Sequence, residues 1–152
     1  IEGCGITRYT RELLSWLKTR SIDAQVFYVS DHVHARESSQ DLRRDSTPID
    51  LESDESVSSV VDALNDQDVV ILNSLPARTD GRSKGLNERA TSGWSALLTR
   101  ITAPVVMIVH EHSSHTIRKN ALLDEAIDKC RVIFVHSETN DMGKLLRSRL
   151  YA

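Results

Sequence analysis

Three side chains that can bind a substrate or transfer a proton directly follow a run of five apolar residues. The run Val105–Val109 is short and rich in β-branched residues, so it predicts a buried parallel strand. His110, Glu111 and His112 come next, at the carboxyl end of that strand, where ligands bind in open α/β sheets. Because alternate residues of an extended chain face the same side, His110 and His112 share one side and Glu111 faces the other. The pattern makes His110 or Glu111 a candidate for acid–base chemistry.

The same histidines admit two other interpretations. His110, His112 and His115 have the H-x-H-x-x-H spacing of metallo-hydrolase ligands, although Ser114 stands where those enzymes usually place an aspartate. Imidazole ligands need carboxylate support to hold a catalytic divalent ion, so we assign no metal site. The third interpretation is that these histidines are structural and take no part in chemistry.

A glycine-rich turn opens the chain, before a predicted helix. Gly3 and Gly5 flank Cys4, and glycines at such a place allow positive φ and let backbone N–H groups approach an anion. The alternative is a tight turn that needs glycine for its geometry only. Turns of this kind normally join a first strand to a first helix, so we expect that the first strand is missing from this chain.

Two basic residues follow the histidines. Arg118 and Lys119 lie in the first turn of a predicted helix, where positive charge opposes the helix dipole. This placement suggests that an anion normally lies nearby, and a solvated helix face is the alternative. Asn73 follows another predicted buried strand and could line a pocket.

The elements that must position these residues alternate between strand and helix. Helical spacing of apolar residues predicts helices over residues 6–19, 57–65, 90–100, 117–129 and 139–149. Apolar runs predict strands over residues 25–29, 68–73, 105–109 and 132–136, with a short strand at 48–51. This alternation predicts an α/β fold, namely a doubly wound, mostly parallel Rossmann-like sheet with helices on both faces.

The bulk composition is that of one ordinary globular domain. The chain has 152 residues, 39% of them hydrophobic, and a net charge of −3, which argues against a nucleic-acid binder that relies on overall charge. Two cysteines are too few for a disulfide framework and indicate a reducing cytosol. No apolar run approaches the roughly 20 residues that span a bilayer.

Several of these motifs occur together, in the same order and at similar spacing, in one known family. Residues 2–7, 65–77, 110–113 with 118–120, and 132–137 resemble the amino-terminal domain of the T-even phage DNA α-glucosyltransferases. These enzymes belong to the two-domain, metal-independent, retaining glycosyltransferases, which are built from facing Rossmann-like halves. The resemblance implies that residues 1–152 are the amino-terminal half of such an enzyme, without its first strand and its carboxyl-terminal half. It also implies that this fragment alone is inactive.

The resemblance implies a hexosyltransferase that moves glucose from UDP-glucose to hydroxymethylcytosine in duplex DNA and retains the α configuration. The setting would be the cytoplasm of a phage-infected cell, with no metal cofactor and no membrane partner. The family's strand-tip His-Asp pair falls on His110–Glu111, so the carboxylate is kept on a side chain one methylene longer. The implied site residues are His110 and Glu111 for catalysis, Gly3, Cys4 and Gly5 for the donor, and Arg118 and Lys119 for donor phosphates or the DNA backbone.

Two other functions stay open. One is a nucleotide- or nucleic-acid-binding module without catalysis, such as a degenerate transferase half. The other is a zinc hydrolase that uses His110, His112 and His115.

Overall fold

The computed structural model describes residues 5–29, 46–73, 88–110, 122–135 and 143–144. Its helices are α1 (Gly5–Thr19), α2 (Asp54–Asn65), α3 (Glu88–Arg100) and α4 (Leu122–Lys129). Its strands are β1 (Val26–Val29), β2 (Ser46–Ile49), β3 (Val70–Leu72), β4 (Val105–Val109) and β5 (Cys130–Val135). The chain divides into two compact units, Ile1–Asp50 and Leu51–Ala152.

The first unit contains α1 and a parallel pair of strands. β1 and β2 are in register from Val26 opposite Ser46 to Val29 opposite Ile49. Ile49 is buried, whereas the other three residues of β2 are half-buried or exposed. Two parallel strands cannot be joined by a tight turn, and sixteen residues of sequence separate Val29 from Ser46.

Within its described residues, the second unit is built on a parallel sheet of three strands with β4 at the centre. α3 lies between β3 and β4 in the chain, and α4 lies between β4 and β5, as parallel neighbours require. Val105, Met107 and Val109 of β4 are all buried. The central strand that precedes His110 is therefore held on both edges by hydrogen bonds and is largely buried.

A layer of helices covers part of this sheet. α3 packs against both α2 and α4, and α4 in turn contacts β4 and β5. Trp94, Leu97 and Leu98 of α3 are buried in this layer, together with Ala126 of α4. Burying large apolar side chains contributes roughly 1.5–3 kcal/mol each, so this layer supplies much of the stability of the unit.

The helical layer also depends on one glycine. Gly93 of α3 meets the backbone of Leu51, which lies three residues before the first residue of α2. A Cβ atom at position 93 would overlap the carbonyl oxygen of Leu51 and lie 2.8 Å from its carbonyl carbon. Only a residue without a side chain fits this contact.

α2 begins three residues before the first residue of its predicted helix. Ser53 caps it, because its hydroxyl accepts a hydrogen bond of 3.2 Å from the backbone N–H of Ser56. Asp54 and Glu55 lie in the first turn, where negative charge favours the helix dipole. Apolar spacing starts only at Val57, so it could not show this polar first turn.

The other predicted elements are confirmed where they are described, with small shifts of their ends. Residues 117–121, where the helix predicted over 117–129 would start, lie outside the described residues. β4 agrees to the residue, α3 begins two residues earlier than predicted, and β5 begins directly after α4 rather than at Val132. β3 is shorter than its prediction by two residues at the start and one at the end. Of the helix predicted over residues 139–149, only Gly143 and Lys144 are described, and both are helical. The predicted α/β class with parallel strands is confirmed.

Asn65, the last residue of α2, fixes the chain just before the central strand. Its Nδ2 donates to the carbonyl oxygen of Arg100 (3.3 Å). Its Oδ1 accepts from the backbone N–H groups of Thr102 (2.6 Å) and Ala103 (3.4 Å). One side chain thus satisfies three backbone groups between the end of α3 and the start of β4.

We expect the Asn65→Ala substitution to lower the free energy of unfolding by about 0.5–1.5 kcal/mol, since it removes these bonds at largely exposed positions where water can replace the side chain. Asn65→Asp should lower the free energy of unfolding by less, because a carboxylate keeps both acceptor bonds and lacks only the N–H that donates to Arg100. Urea denaturation of the wild type and the two variants measures the difference. Equal stability of all three proteins would show that the Asn65 bonds contribute nothing.

Cys130 opens β5 and its thiol is free and half-buried. Burial raises the pKa of the Cys130 thiol from its ordinary value of 9.0 to about 11. The thiolate is the reactive form, so at pH 8 a pKa higher by about two units lowers its fraction about 100-fold. We expect iodoacetamide to label Cys130 about 100-fold more slowly in the folded protein than in the protein unfolded by urea. The labelling rate of the folded protein should rise with pH up to about pH 11. Mass spectrometry of the Cys130 peptide measures this rate, and equal labelling in both states would contradict it.

Candidate functional site

Two polar side chains meet at the carboxyl end of the three-stranded sheet. Asn73 follows the last residue of β3 and His110 follows the last residue of β4. The ring nitrogen Nε2 of His110 donates to Oδ1 of Asn73 over 3.0 Å. Both residues are half-buried, so the pair lies neither in the core nor fully in solvent.

The register of the strands explains why these two residues meet. Leu72 lies opposite Met107, so the next position, Asn73, comes opposite Ile108. His110 is two residues beyond Ile108 and therefore points to the same side of the sheet. Diagonal neighbours of this kind on adjacent strands lie within reach of long side chains.

The hydrogen bond determines which imidazole nitrogen carries the proton. An amide oxygen can only accept, so Nε2 of His110 is protonated when it bonds to Asn73. In the neutral ring, Nδ1 then carries the lone pair and can accept a hydrogen bond or a proton. This arrangement suits a residue that orients a sugar hydroxyl or receives a proton at a strand tip.

Two of the predicted site residues lie within the described part of the chain. His110 stands at the strand tip as predicted, and Gly5 is the first residue of α1, which belongs to the other unit. The remaining predicted site residues lie outside the described residues, and their roles stay predictions: Gly3, Cys4, Glu111, Arg118 and Lys119.

The sequence predicts only that Asn73 could line a pocket, and it gives no pairing of Asn73 with His110. The sequence feature that points to this pair is that both residues directly follow predicted buried strands of one parallel sheet. Strand tips on neighbouring strands lie at one edge, but only the register shows that these two side chains touch.

The zinc alternative needs His112 and His115, which lie outside the described residues. Within the described ranges, no group of three or more His, Cys, Asp or Glu side chains could hold a metal ion. None of the helices in those ranges is long and apolar enough to cross a lipid bilayer.

Comparison with known proteins identifies the family. The family model described as DNA alpha-glucosyltransferase matches residues 4–152, nearly the whole chain. The chain belongs to the DNA alpha-glucosyltransferase family. The resemblance seen in the strand-tip motifs is thereby confirmed.

One curated member of the DNA alpha-glucosyltransferase family is the enzyme of Enterobacteria phage T4. It is 29% identical over 153 residues, an alignment that covers 99% of this chain and 36% of the phage protein. The chain therefore spans about a third of the length of this relative. Its place as the amino-terminal half of a complete enzyme stays a prediction.

Solved alpha-glucosyltransferase structures share the fold. One, in complex with UDP-glucose and DNA containing an abasic site, is 30% identical with a TM-score of 0.82. Another, in complex with UDP and a 13-mer DNA containing an HMU base, has the same identity and TM-score. Both alignments cover 99% of this chain, with 36% and 37% of the respective solved chains. The Rossmann-like architecture predicted from the alternating elements is thus confirmed.

Proposed function

We propose that this chain is part of an enzyme that transfers glucose from UDP-glucose to hydroxymethylcytosine in duplex DNA and retains the α configuration. The observation that carries the proposal is the His110–Asn73 pair at the carboxyl end of a parallel sheet, in a chain of the DNA alpha-glucosyltransferase family. Solved relatives contain UDP-glucose, UDP and DNA, which supports these substrates. The proposed setting is the cytoplasm of a phage-infected cell.

The chemistry assigned to the strand tip follows from the residue types. Departure of UDP leaves positive charge on the anomeric carbon of glucose, and a nearby carboxylate stabilises such an oxocarbenium-like centre. Glu111 follows His110 directly and is the proposed carboxylate. His110 is the proposed group that orients the sugar through its imidazole. No step of this mechanism uses a metal ion.

The remaining predicted residues would bind the two substrates. Backbone N–H groups of Gly3, Cys4 and Gly5 would approach the diphosphate or the sugar of the donor. Arg118 and Lys119 would meet donor phosphates or the DNA backbone. Because a base inside a duplex is out of reach of a pocket, the acceptor nucleotide would be flipped out of the stack.

The test is transfer of radiolabelled glucose by the full-length protein. We expect label from UDP-glucose to enter duplex DNA that contains hydroxymethylcytosine, and not the same duplex with unmodified cytosine. Proton NMR of the released glucosylated nucleoside should show an α linkage. No transfer to any modified DNA, with any nucleotide sugar, would overturn the proposal, and a β linkage would overturn retention.

Arg118→Ala should weaken binding to hydroxymethylated DNA. It should also reduce the magnitude of the slope of log K against log salt concentration by about 1, because binding then neutralises one phosphate fewer and releases fewer counterions. Fluorescence anisotropy over a series of salt concentrations measures both quantities. Lys18→Ala, at an exposed position of α1, is the matched control and should leave the slope unchanged. An unchanged slope together with weaker UDP binding would show that Arg118 contacts the donor phosphates and not the DNA backbone.

A further inference from the structure

The hydrogen bond between Asn73 and His110 has a consequence beyond the proposed transfer reaction. We propose that Asn73 is a positioning residue, which holds the His110 imidazole in the Nε2–H tautomer with a fixed ring orientation. In the neutral ring, Nδ1 is then the unprotonated nitrogen. The part of this inference that concerns catalysis rests on the proposed function.

The geometry gives the amide a defined position. Asn73 is one residue beyond the end of β3, whose residues are hydrogen-bonded in register to β4. Its short side chain has two rotatable bonds, and its Oδ1 lies 3.0 Å from Nε2 of His110. The acceptor is therefore carried by the same sheet that carries the histidine, and the sheet fixes their separation.

The chemistry of an amide also suits this role. Its oxygen can accept but not donate, so it selects one tautomer of a neutral ring. Unlike a carboxylate, it adds no charge beside a site that must handle an anionic donor. A neutral acceptor therefore fixes the orientation of the imidazole ring and leaves the charge of that ring to be determined by the substrate.

The pair is not needed to complete the core. Among the described residues, no polar or charged side chain is buried, and the core consists of apolar side chains. The apolar residues of β3 and β4 already make the sheet, and Asn73 and His110 extend past its end. A polar pair placed at the strand tips rather than inside the fold is typical of a functional site.

Two substitutions of nearly equal size separate the acceptor from the shape of the side chain. Asn73→Leu removes the acceptor, and Asn73→Asp keeps an oxygen in place. The first measurement is the tautomer of His110, read from imidazole ¹⁵N chemical shifts of the full-length protein labelled at histidine and assigned with His110→Gln. The second is kcat and KM for transfer of glucose to hydroxymethylated DNA.

We expect Asn73→Leu to lose the Nε2–H preference of His110 and to lower kcat by about 10–100-fold, part of what a lost acid–base group costs. Asn73→Asp should keep the proton on Nε2 of His110 but raise KM for UDP-glucose, because its negative charge lies beside an anionic donor. In Asn73→Leu, KM should change little. Either an unchanged tautomer in Asn73→Leu, or a changed tautomer with unchanged kcat, would overturn the positioning role. If the wild type transfers no glucose, the proposed function fails, and the ¹⁵N shifts still decide whether Asn73 sets the tautomer.

Discussion

Glu111→Gln in the full-length protein should lower kcat for glucose transfer by about 10²–10³-fold, the range found when one group that stabilises transition-state charge is removed. Glutamine keeps the size of the side chain but removes the negative charge that we propose stabilises the electron-poor anomeric carbon. Because this charge develops only as UDP leaves, the Kd for hydroxymethylated DNA should change little. Single-turnover kinetics and a DNA-binding titration measure the two effects separately.

Glu111→Asp is the matched control for that experiment. The resemblance places an aspartate at this position in the family, so Asp should retain activity if the carboxylate is what matters. Equal loss of turnover and DNA affinity in Glu111→Gln would count against a chemical role. Full activity in Glu111→Gln would remove Glu111 from the mechanism.

Gly93→Ala should destabilise the second unit by about 1–3 kcal/mol, the usual cost of overpacking a close contact. The added Cβ would overlap the carbonyl oxygen of Leu51, which belongs to the backbone and cannot rotate away. Within a helix, alanine normally stabilises by about 1 kcal/mol relative to glycine, so the expected sign is the reverse of helix propensity. Hydrogen exchange of the amides in α3 should accelerate by about 5–150-fold, because each 1.4 kcal/mol of lost stability raises the population of the open state about tenfold.

Ser92→Ala is the control at the neighbouring position. Ser92 is exposed, and its hydroxyl bonds only to the carbonyl oxygen of Glu88 in its own helix (3.0 Å). Its substitution should stay within about 0.5 kcal/mol of the wild type. Unchanged exchange in Gly93→Ala would mean that α3 and the turn at Leu51 are not packed as tightly as the contact requires.

Local sequence patterns predicted much of the fold. The strand Val105–Val109 was predictable to the residue because an unbroken apolar run, rich in β-branched residues, is bounded by Pro104 and His110. α2 was predicted too short because its first turn is polar and is fixed by the Ser53 cap, which apolar periodicity does not detect. The strand Ser46–Ile49 was displaced from its prediction by two residues, since its polar sequence has little β signal of its own.

Contacts between distant parts of the chain were not predictable from local patterns. The bond between Asn73 and His110 joins residues 37 positions apart, and it depends on the register of β3 with β4. The need for glycine at position 93 arises from the backbone of Leu51, which lies far from it in sequence. Such contacts follow from tertiary packing, which the spacing of apolar residues does not encode.

We propose that glucose transfer takes place at the carboxyl end of β4. The most direct measurement is a crystal structure of the full-length protein with a non-reacting UDP-glucose analogue and hydroxymethylated DNA. We predict that a carboxylate oxygen of Glu111 lies about 3–4 Å from the anomeric carbon, as contact with the reacting atoms requires, with His110 beside the sugar. A donor sugar that touches neither Glu111 nor His110 would contradict the account.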